Sequence, residues 1–269
     1  MNVIIICVNY NSYDSLKDYL LSLENAVCFC EAVVSVYVAD NSISKQEIDV
    51  AQYKHIRVII KQYDNLGYLG GAFAVFNSLE TSVKEEYDYC IVSNVDVTVN
   101  NDFFQELKKV EKNDQIAWIA PAIYKERLKK IGVSELSTRP SLKRMQMYSY
   151  VYSHPTVYKC FLFLAMMRRR IGHNFTTSTK KIYAGYGSFM IFTKRFMNLY
   201  AEWDYPPFLY GEEIFFAEIA RQHKMMVLYL PNVLINDIGQ VSTGRIGNKP
   251  KLKIMKESND YLYNKFFKH

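Results

Sequence analysis

Tyr89-Cys90-Ile91-Val92-Ser93-Asn94-Val95-Asp96 is the stretch on which the fold turns. Tyr89 to Ser93 is a short apolar run bounded by polar residues, the pattern of a strand buried on both faces. Side chains two apart on an extended segment point the same way, so Asn94 and Asp96 share one face where the strand ends. An Asp in that place suits Mg²⁺ or Mn²⁺, hard ions that take one or two carboxylates and fill their shell with diphosphate oxygens and water. Read alone, it is equally a turn residue or a helix cap.

Outward from this strand the same unit repeats. Val3 to Val8, Val33 to Ala39, Ile56 to Ile60 and Ile116 to Ile123 are further apolar runs. Between them lie helix-like stretches: Tyr13 to Glu24 with Leu16, Leu20 and Leu23 on one face, a short polar helix before Ile56, Gly70 to Val83, and Asp102 to Lys112. Apolar strands alternating with helices predict an α/β fold with a mostly parallel central sheet and helices on both faces. Ligands of such sheets bind beyond the carboxyl ends of the strands, so the polar residues just after each strand are the candidates. After Tyr183 the alternation resumes with a strand at Ser188 to Phe192, a helix at Glu212 to His223 and a strand at Met226 to Leu230. Lys251 to Phe267 has the pattern of a basic amphipathic helix.

The 269 residues suffice for one large core, and 49% hydrophobic with 22% charged residues is ordinary for a globular chain. The expected organisation is a single catalytic domain over 1–269, with a basic aromatic insertion at 124–183 and a helical tail at 245–269. Tyr124 to Tyr183 holds 13 Lys or Arg against 2 acids, leaving 20 against 25 in the rest. A basic segment in an acidic body implies an anionic partner: nucleic acid, a phosphate-bearing substrate or an anionic membrane. Within it, Val157 to Met167 is apolar apart from Lys159 and precedes Arg168-Arg169-Arg170. As a helix it would reach roughly 16 Å, short of the ~30 Å hydrocarbon core, so it is expected to lie on a membrane rather than cross one. Val3 to Val8 has no basic residue before it and reads as a strand, not a signal peptide. Five cysteines without a CxxC pair read as reduced thiols of a cytoplasmic protein, with no zinc site.

The first strand exits into Val8-Asn9-Tyr10-Asn11-Ser12 without glycine, and no GxxxxGK[ST] loop occurs, so neither a dinucleotide fingerprint nor a P-loop is present. Gly67, Gly70 and Gly71 follow the third strand, where backbone amides can approach a diphosphate or simply start a helix. Asp40-Asn41-Ser42 ends the second strand and is also a plausible cap. Glu212-Glu213 opens a helix after Pro206-Pro207-Phe208-Leu209-Tyr210-Gly211; such acids complement a helix dipole. Beside an aromatic wall of Phe208 and Tyr210, they also suit a general base.

In this order the pieces resemble family 2 of the glycosyltransferases, which have the GT-A fold, in particular the rhamnosyl- and galactofuranosyl-transferase-like branch of bacterial polysaccharide synthesis. The resemblance covers roughly residues 3–123 and 184–243. It implies that Val8, Asn9, Tyr10 and Asp40 hold the nucleotide base. The family's N-x-G-[FY]-x-G-G motif corresponds to Asn65-Leu66-Gly67-Tyr68-Leu69-Gly70-Gly71, lying against the donor. Its N-P-D motif corresponds to Asn94-Val95-Asp96, which places Asn94 at the ribose and Asp96 on a metal. Gly187-Ser188 matches the glycine-led strand under the donor sugar, and Glu212-Glu213 the acidic pair whose second member is the base. Three departures stand out: Phe73 where the branch often has Asn, Glu213 in place of Asp, and Asp237 in place of His within Pro231 to Ser242. Oxygen is a harder ligand than imidazole, so Asp237 keeps a site for Mg²⁺ or Mn²⁺.

The resemblance implies an inverting, metal-dependent transfer from a UDP- or dTDP-sugar to a hydroxyl of a glycan or polyprenyl-diphosphate-linked glycan. The cysteines and the basic segment lead to the expectation of a cytoplasmic chain, peripheral on the inner face of the cell membrane, and the lack of recognised nucleic-acid motifs to that of no nucleic-acid partner. The alternatives are a nucleic-acid- or polyanion-binding protein using the basic segment with Tyr148, Tyr150, Tyr152 and Phe161, and a catalytically degenerate transferase.

Overall fold

The structure is a computed structural model that describes residues 1–126, 129–132, 136–169, 178–239 and 247–268. Arg170 and Ser242 lie outside the described residues, as do the side chains of Arg168 and Arg169.

The first half runs β1 (Asn2–Asn9), α1 (Tyr13–Val27), β2 (Val33–Asp40), β3 (Ile56–Gln62), α2 (Tyr68–Asn77), α3 (Thr81–Glu86) and β4 (Tyr89–Asn94). Then follow β5 (Val97–Val99), α4 (Phe103–Lys108), β6 (Ile116–Lys125) and β7 (Lys130–Gly132). The second half has α5 (Leu142–Ser153), α6 (Pro155–Arg169), β8 (Lys180–Ile182), β9 (Phe189–Thr193), α7 (Lys194–Met197), α8 (Glu212–Gln222), β10 (Met226–Asp237) and α9 (Asn248–Leu262).

The sheet order is β3-β2-β1-β4-β9-β6-β10-β5, with β7 paired to β6 and β8 to β10. β1 to β4, β6 and β10 run one way, while β9 is wedged antiparallel between β4 and β6. Alternation along β1 divides the core. Val3, Ile5 and Cys7 face one layer with Leu16, Leu20 and Leu23 of α1, and Ile4 and Ile6 face the other with Ala72, Phe73 and Phe76 of α2. Leu20 is wholly buried, so its truncation to Ala would cost about 2–5 kcal/mol. The Tyr19 hydroxyl and Ser93 Oγ, 2.9 Å apart, tie α1 to β4.

Two stretches depart from expectation. Gly70 to Val83 is not one helix: α2 stops at Asn77, whose side chain donates to Trp203 O at 2.9 Å and accepts from Trp203 N at 3.0 Å. That clamp holds the helix end while Leu79 turns into the core. β10 continues past Leu230 to Asp237, across a register shift between Leu230 and Leu234 where Pro231 interrupts the ladder. The extension lets β5 pair with it. The basic segment is partly integrated: β7 and β8 join the sheet, and α5 packs along α9.

Candidate active site

β1 is flanked by β2 on one side and β4 on the other, so their connections diverge and open a crevice at the carboxyl ends. A cleft of about 260 Å³ occupies it, lined by Val8, Tyr10, Asn41, Asn65, Gly67, Tyr68, Asn94, Val95, Asp96, Phe208, Leu209 and Ile254. Asn9 and Asp40 are brought together just behind this lining and are fully buried. Asn9 Nδ2 donates to Asp40 Oδ1 at 3.0 Å and to Ser42 Oγ at 3.1 Å, while Tyr13 donates to Asp40 Oδ2 at 2.7 Å. These bonds hold the loops that present Val8, Tyr10 and Asn41. Asn41 Nδ2 donates to Gly67 O at 2.8 Å, which leaves Oδ1 buried without a partner.

Gly67 adopts φ 76° and ψ −171°, a region essentially restricted to glycine. A Cβ there would lie 2.0 Å from Phe208 O, the oxygen that accepts from Tyr68 N at 3.2 Å. The glycine therefore lets α2 begin directly against the 208–209 wall of the cleft. Gly71 lies behind the cleft, where a Cβ would sit 3.0 Å from Asn41 Nδ2. Gly70 meets only Leu66 Cβ, at 3.3 Å, and neither lines the cleft.

Asn94 and Asp96 both line the cleft, and Asp237 joins Asp96 through β5: Val97 pairs with Asp237, and Ile238 N donates to Asp96 O at 3.1 Å. Both carboxylates are buried. Burial, followed by the Asp96 charge, raises the Asp237 carboxyl above its ordinary value, opposed by Lys125. Two buried, mutually repelling carboxylates at the mouth of a strand suit a hard divalent cation that draws its other ligands from phosphate and water. Among the described residues no group of three or more His, Cys, Asp or Glu forms a complete protein cage.

The acidic pair lies beside the start of β9, next to β4. Asn94 N donates to Ser188 O at 2.9 Å, Tyr68 donates to Gly187 O at 2.9 Å, and a Cβ on Gly187 would meet Glu213 Cδ at 3.4 Å. Glu213 thus sits on the glycine-led start of β9. Glu212 is turned inward and accepts from Tyr210 N at 2.9 Å. Tyr210 (φ 72°) and Gly211 (φ 87°) are consecutive left-handed residues that reverse the chain into α8. At Gly211 a Cβ would lie 2.6 Å from Leu262 Cδ1. Burial raises both glutamates, and the Glu213 charge raises Glu212 further. The pair keeps a proton well above the ordinary carboxylate range. Within the pair Glu212 is engaged by Tyr210 N while Glu213 faces Gly187, which leaves Glu213 as the member placed to accept a proton.

Sequence reasoning missed Leu209 and Ile254, and it set Phe208 beside the glutamates rather than in this lining. Asn41 adjoins Asp40 and falls under the strand-end rule. Ile254 carried no signal: it arrives from α9, which is held in place where Ser258 Oγ donates to Leu209 O at 2.5 Å. Among the described residues the buried side-chain atoms without partners include Asn41 Oδ1, Ser188 Oγ and the Tyr210 hydroxyl, each on or next to a cleft residue. Orphaned polar atoms gathered at one cleft fit a polar ligand.

No protein-family model and no curated protein matches the sequence. Solved structures do match. GalNAc-T7 with UDP, GalNAc and Mn²⁺ aligns at a TM-score of 0.57 and 12% identity, covering 97% of this chain and 50% of that one. TarS 1-349 from S. aureus in complex with UDP aligns at 0.55 and 12%, covering 99% and 70%. Another structure of S. aureus TarS 1-349 aligns at 0.51 and 12%, covering 86% of this chain and 60% of that one. The chain thus spans only about half to 60% of the length of two of these neighbours. The fold is of the GT-A type: a mostly parallel, curled sheet flanked by helices.

Proposed function

We propose that this chain is a glycosyltransferase that moves a sugar from a UDP- or dTDP-linked donor to a hydroxyl of a glycan or lipid-linked glycan, inverting the anomeric carbon. The observation that carries the reading is a cleft lined by Asp96, with Asp237 beside it on the paired strand, and a proton-holding glutamate pair next to Gly187, whose carbonyl accepts from the cleft residue Tyr68. The GT-A fold and the UDP bound by neighbours of that fold support it. The ordered motifs resemble those of the rhamnosyl- and galactofuranosyl-transferase-like branch, and that resemblance supports the reading.

Val8, Tyr10 and Asn65 line the base and ribose end of the donor, with Asn9 and Asp40 fixing their loop from behind. Asn41 Oδ1 supplies an acceptor for a base N–H or ribose hydroxyl. Asn94 faces the ribose, and Gly67 lets the backbone approach the diphosphate, with Gly70 and Gly71 starting the helix behind it. Gly187 and Ser188 underlie the donor sugar. Asp96 and Asp237 would hold a Mg²⁺ or Mn²⁺, which would supply positive charge to the diphosphate leaving group. Glu213 takes the acceptor hydroxyl proton. The new bond from that oxygen to the anomeric carbon forms as the bond to the phosphate oxygen breaks, and the nucleoside diphosphate leaves with the electron pair. Glu212 accepts from Tyr210 N and braces the turn that carries the pair.

No helix among the described residues is long and apolar enough to cross a membrane. α6 exposes Leu162, Phe163, Leu164 and Met167, with Lys159 exposed on the same helix. We assign this face to peripheral contact with an anionic membrane, the inner face of the cell membrane, where a lipid-linked acceptor would reside.

The test is nucleotide release from a panel of UDP- and dTDP-sugars, with and without Mn²⁺, for the wild type and Asp96→Asn. Release that needs Mn²⁺ and is lost in the variant is expected. Equal release in both proteins at every Mn²⁺ concentration would overturn the metal assignment, and no release from any donor would overturn the function.

A further inference from the structure

β6 ends in a cation at the edge of the sheet where the candidate metal carboxylates lie. β4, β6 and β10 run in one direction, and their last residues are Asn94, Lys125 and Asp237. All three therefore reach the carboxyl edge, where ligands of such sheets bind. Lys125 is the register partner of Asp237, and residues paired in this way project from one face of the sheet.

On the other flank of β6, Lys125 Nζ lies 4.3 Å from the centroid of the Tyr186 ring. Tyr186 leads into Gly187 and Ser188, whose carbonyls accept from the Tyr68 hydroxyl and from Asn94 N, both at 2.9 Å. Tyr68 and Asn94 line the cleft. The lysine is thus held between Asp237 on β10 and a turn that is hydrogen-bonded to the cleft wall. Both Lys125 and Tyr186 are half-buried, so the ring steadies the ammonium while leaving its charge intact.

We infer that Lys125 is a phosphate-binding residue of the donor site: its ammonium donates to the donor's diphosphate beside Asp237, with or without a metal ion on the carboxylates. The inference rests on the transferase reading and adds a residue to that same site.

Charge balance gives the reason. Asp96 and Asp237, both ionised, cancel the charge of one divalent ion and leave nothing over for the diphosphate. The leaving nucleoside diphosphate is more anionic still, since it departs with the electron pair. One further fixed positive charge turns this edge from neutral to attractive for an anion. The Lys125 charge already acts on Asp237, against burial and the Asp96 charge. An ammonium has three N–H donors on a compact centre, so one lysine can serve a carboxylate and a phosphate oxygen together.

Calorimetry on the full chain measures the binding of UDP, uridine and inorganic diphosphate, first in EDTA and then with Mn²⁺. In EDTA the wild type is expected to bind UDP more tightly than uridine. Lys125→Met keeps an apolar stem against Tyr186 and should weaken UDP about ten- to a hundredfold, with uridine unchanged; Lys125→Arg should keep the preference. Removing Lys125 also unmasks Asp237, so the comparison is repeated in Asp237→Asn. A direct contact weakens UDP in that background as well. No effect of Lys125→Met there makes Lys125 a partner of Asp237 alone and overturns the inference, as does equal UDP affinity of wild type and Lys125→Met in EDTA. Thermal unfolding checks each variant, and Lys125→Gln takes the place of Lys125→Met if the latter is unfolded. Inorganic diphosphate binding that needs Lys125, in a protein that binds no nucleotide, leaves this site standing and overturns the transferase reading instead. No binding of UDP or diphosphate in EDTA overturns the inference and leaves the transferase reading to the Mn²⁺ measurements.

Discussion

Gly67→Ala tests the link between backbone geometry and the cleft. Its φ of 76° and ψ of −171° lie where a side chain costs about 1–3 kcal/mol. The new Cβ would lie 2.0 Å from Phe208 O, so that carbonyl must retreat and its bond from Tyr68 N is lost, for about 1 kcal/mol more. The sum, about 2–4 kcal/mol, lowers Tm by roughly 5–15 °C for a chain of this size. Because Phe208 and Leu209 line the cleft, their displacement also lowers transfer by about 100-fold. Differential scanning calorimetry and nucleotide release at saturating Mn²⁺ are the assays. Gly70→Ala is the stability control: its Cβ meets only a side-chain carbon at 3.3 Å within a helix, and its Tm should hold or rise. A Gly67→Ala protein with wild-type Tm and turnover would refute the reasoning.

Glu213→Gln keeps donor affinity and loses transfer by about 10²–10⁴-fold, whereas Glu212→Gln loses less; steady-state kinetics check this, and the reverse ranking reassigns the base. Since burial favours the protonated forms of both glutamates, kcat/KM rises with pH along a limb centred above the ordinary glutamate pKa of about 4.3. A limb at or below that value removes both residues as the base. Over the same window the folded state holds protons that the unfolded chain has lost, so the pair's contribution to stability declines as pH rises. Arg139→Met strips two hydrogen bonds from the buried Glu218 carboxylate, at 2.6 and 3.1 Å. Tyr183 and Arg221 remain, so the cost in urea titrations falls at or below the low end of the roughly 3–5 kcal/mol for breaking a buried pair. An unchanged midpoint refutes it. Burial would raise Glu218, but its bonds from Arg139, Tyr183 and Arg221 hold it low, so its stabilisation is full at neutral pH and is lost as pH falls through the acid range. Vesicles with anionic lipid should sediment the wild type and not Phe163→Ser/Leu164→Ser; equal pelleting of both proteins dismisses the membrane face.

Periodicity was enough for the sheet's parallel half. Continuous runs such as Ile4 to Cys7 and the Leu16, Leu20, Leu23 stripe encode burial directly, and those elements stand where the pattern puts them. It did not reveal that β9 runs antiparallel, because an apolar pentamer reads the same in either direction. Nor did it show β5, whose three residues pair with a part of β10 beyond Pro231. The candidate cleft was legible where a polar residue follows a strand, as with Asn65, Asn94 and Asp96. It was illegible where a distant helix closes over it, since nothing local distinguishes Ile254 from any other apolar residue of α9. Asp40 and Asn41 show the limit of resolution: alternation separates neighbours onto opposite sides, but only the bond from Asn41 Nδ2 to Gly67 O decides which of them lines the cleft.

The wedged strand also bears on how the chain is made. β1 to β4 are contiguous in synthesis and can pair as soon as they emerge, yet the free edge of β4 is closed by β9, which pairs Tyr89 with Thr193. Until residues near 193 leave the ribosome, the nascent protein carries an uncapped apolar strand, a template for other chains. Non-local closure of this kind slows folding and lengthens that exposure. Fragments that stop before β9 should therefore aggregate while fragments that include it stay dispersed, and a chaperone that shields strand edges should matter most during the synthesis of the helical hairpin.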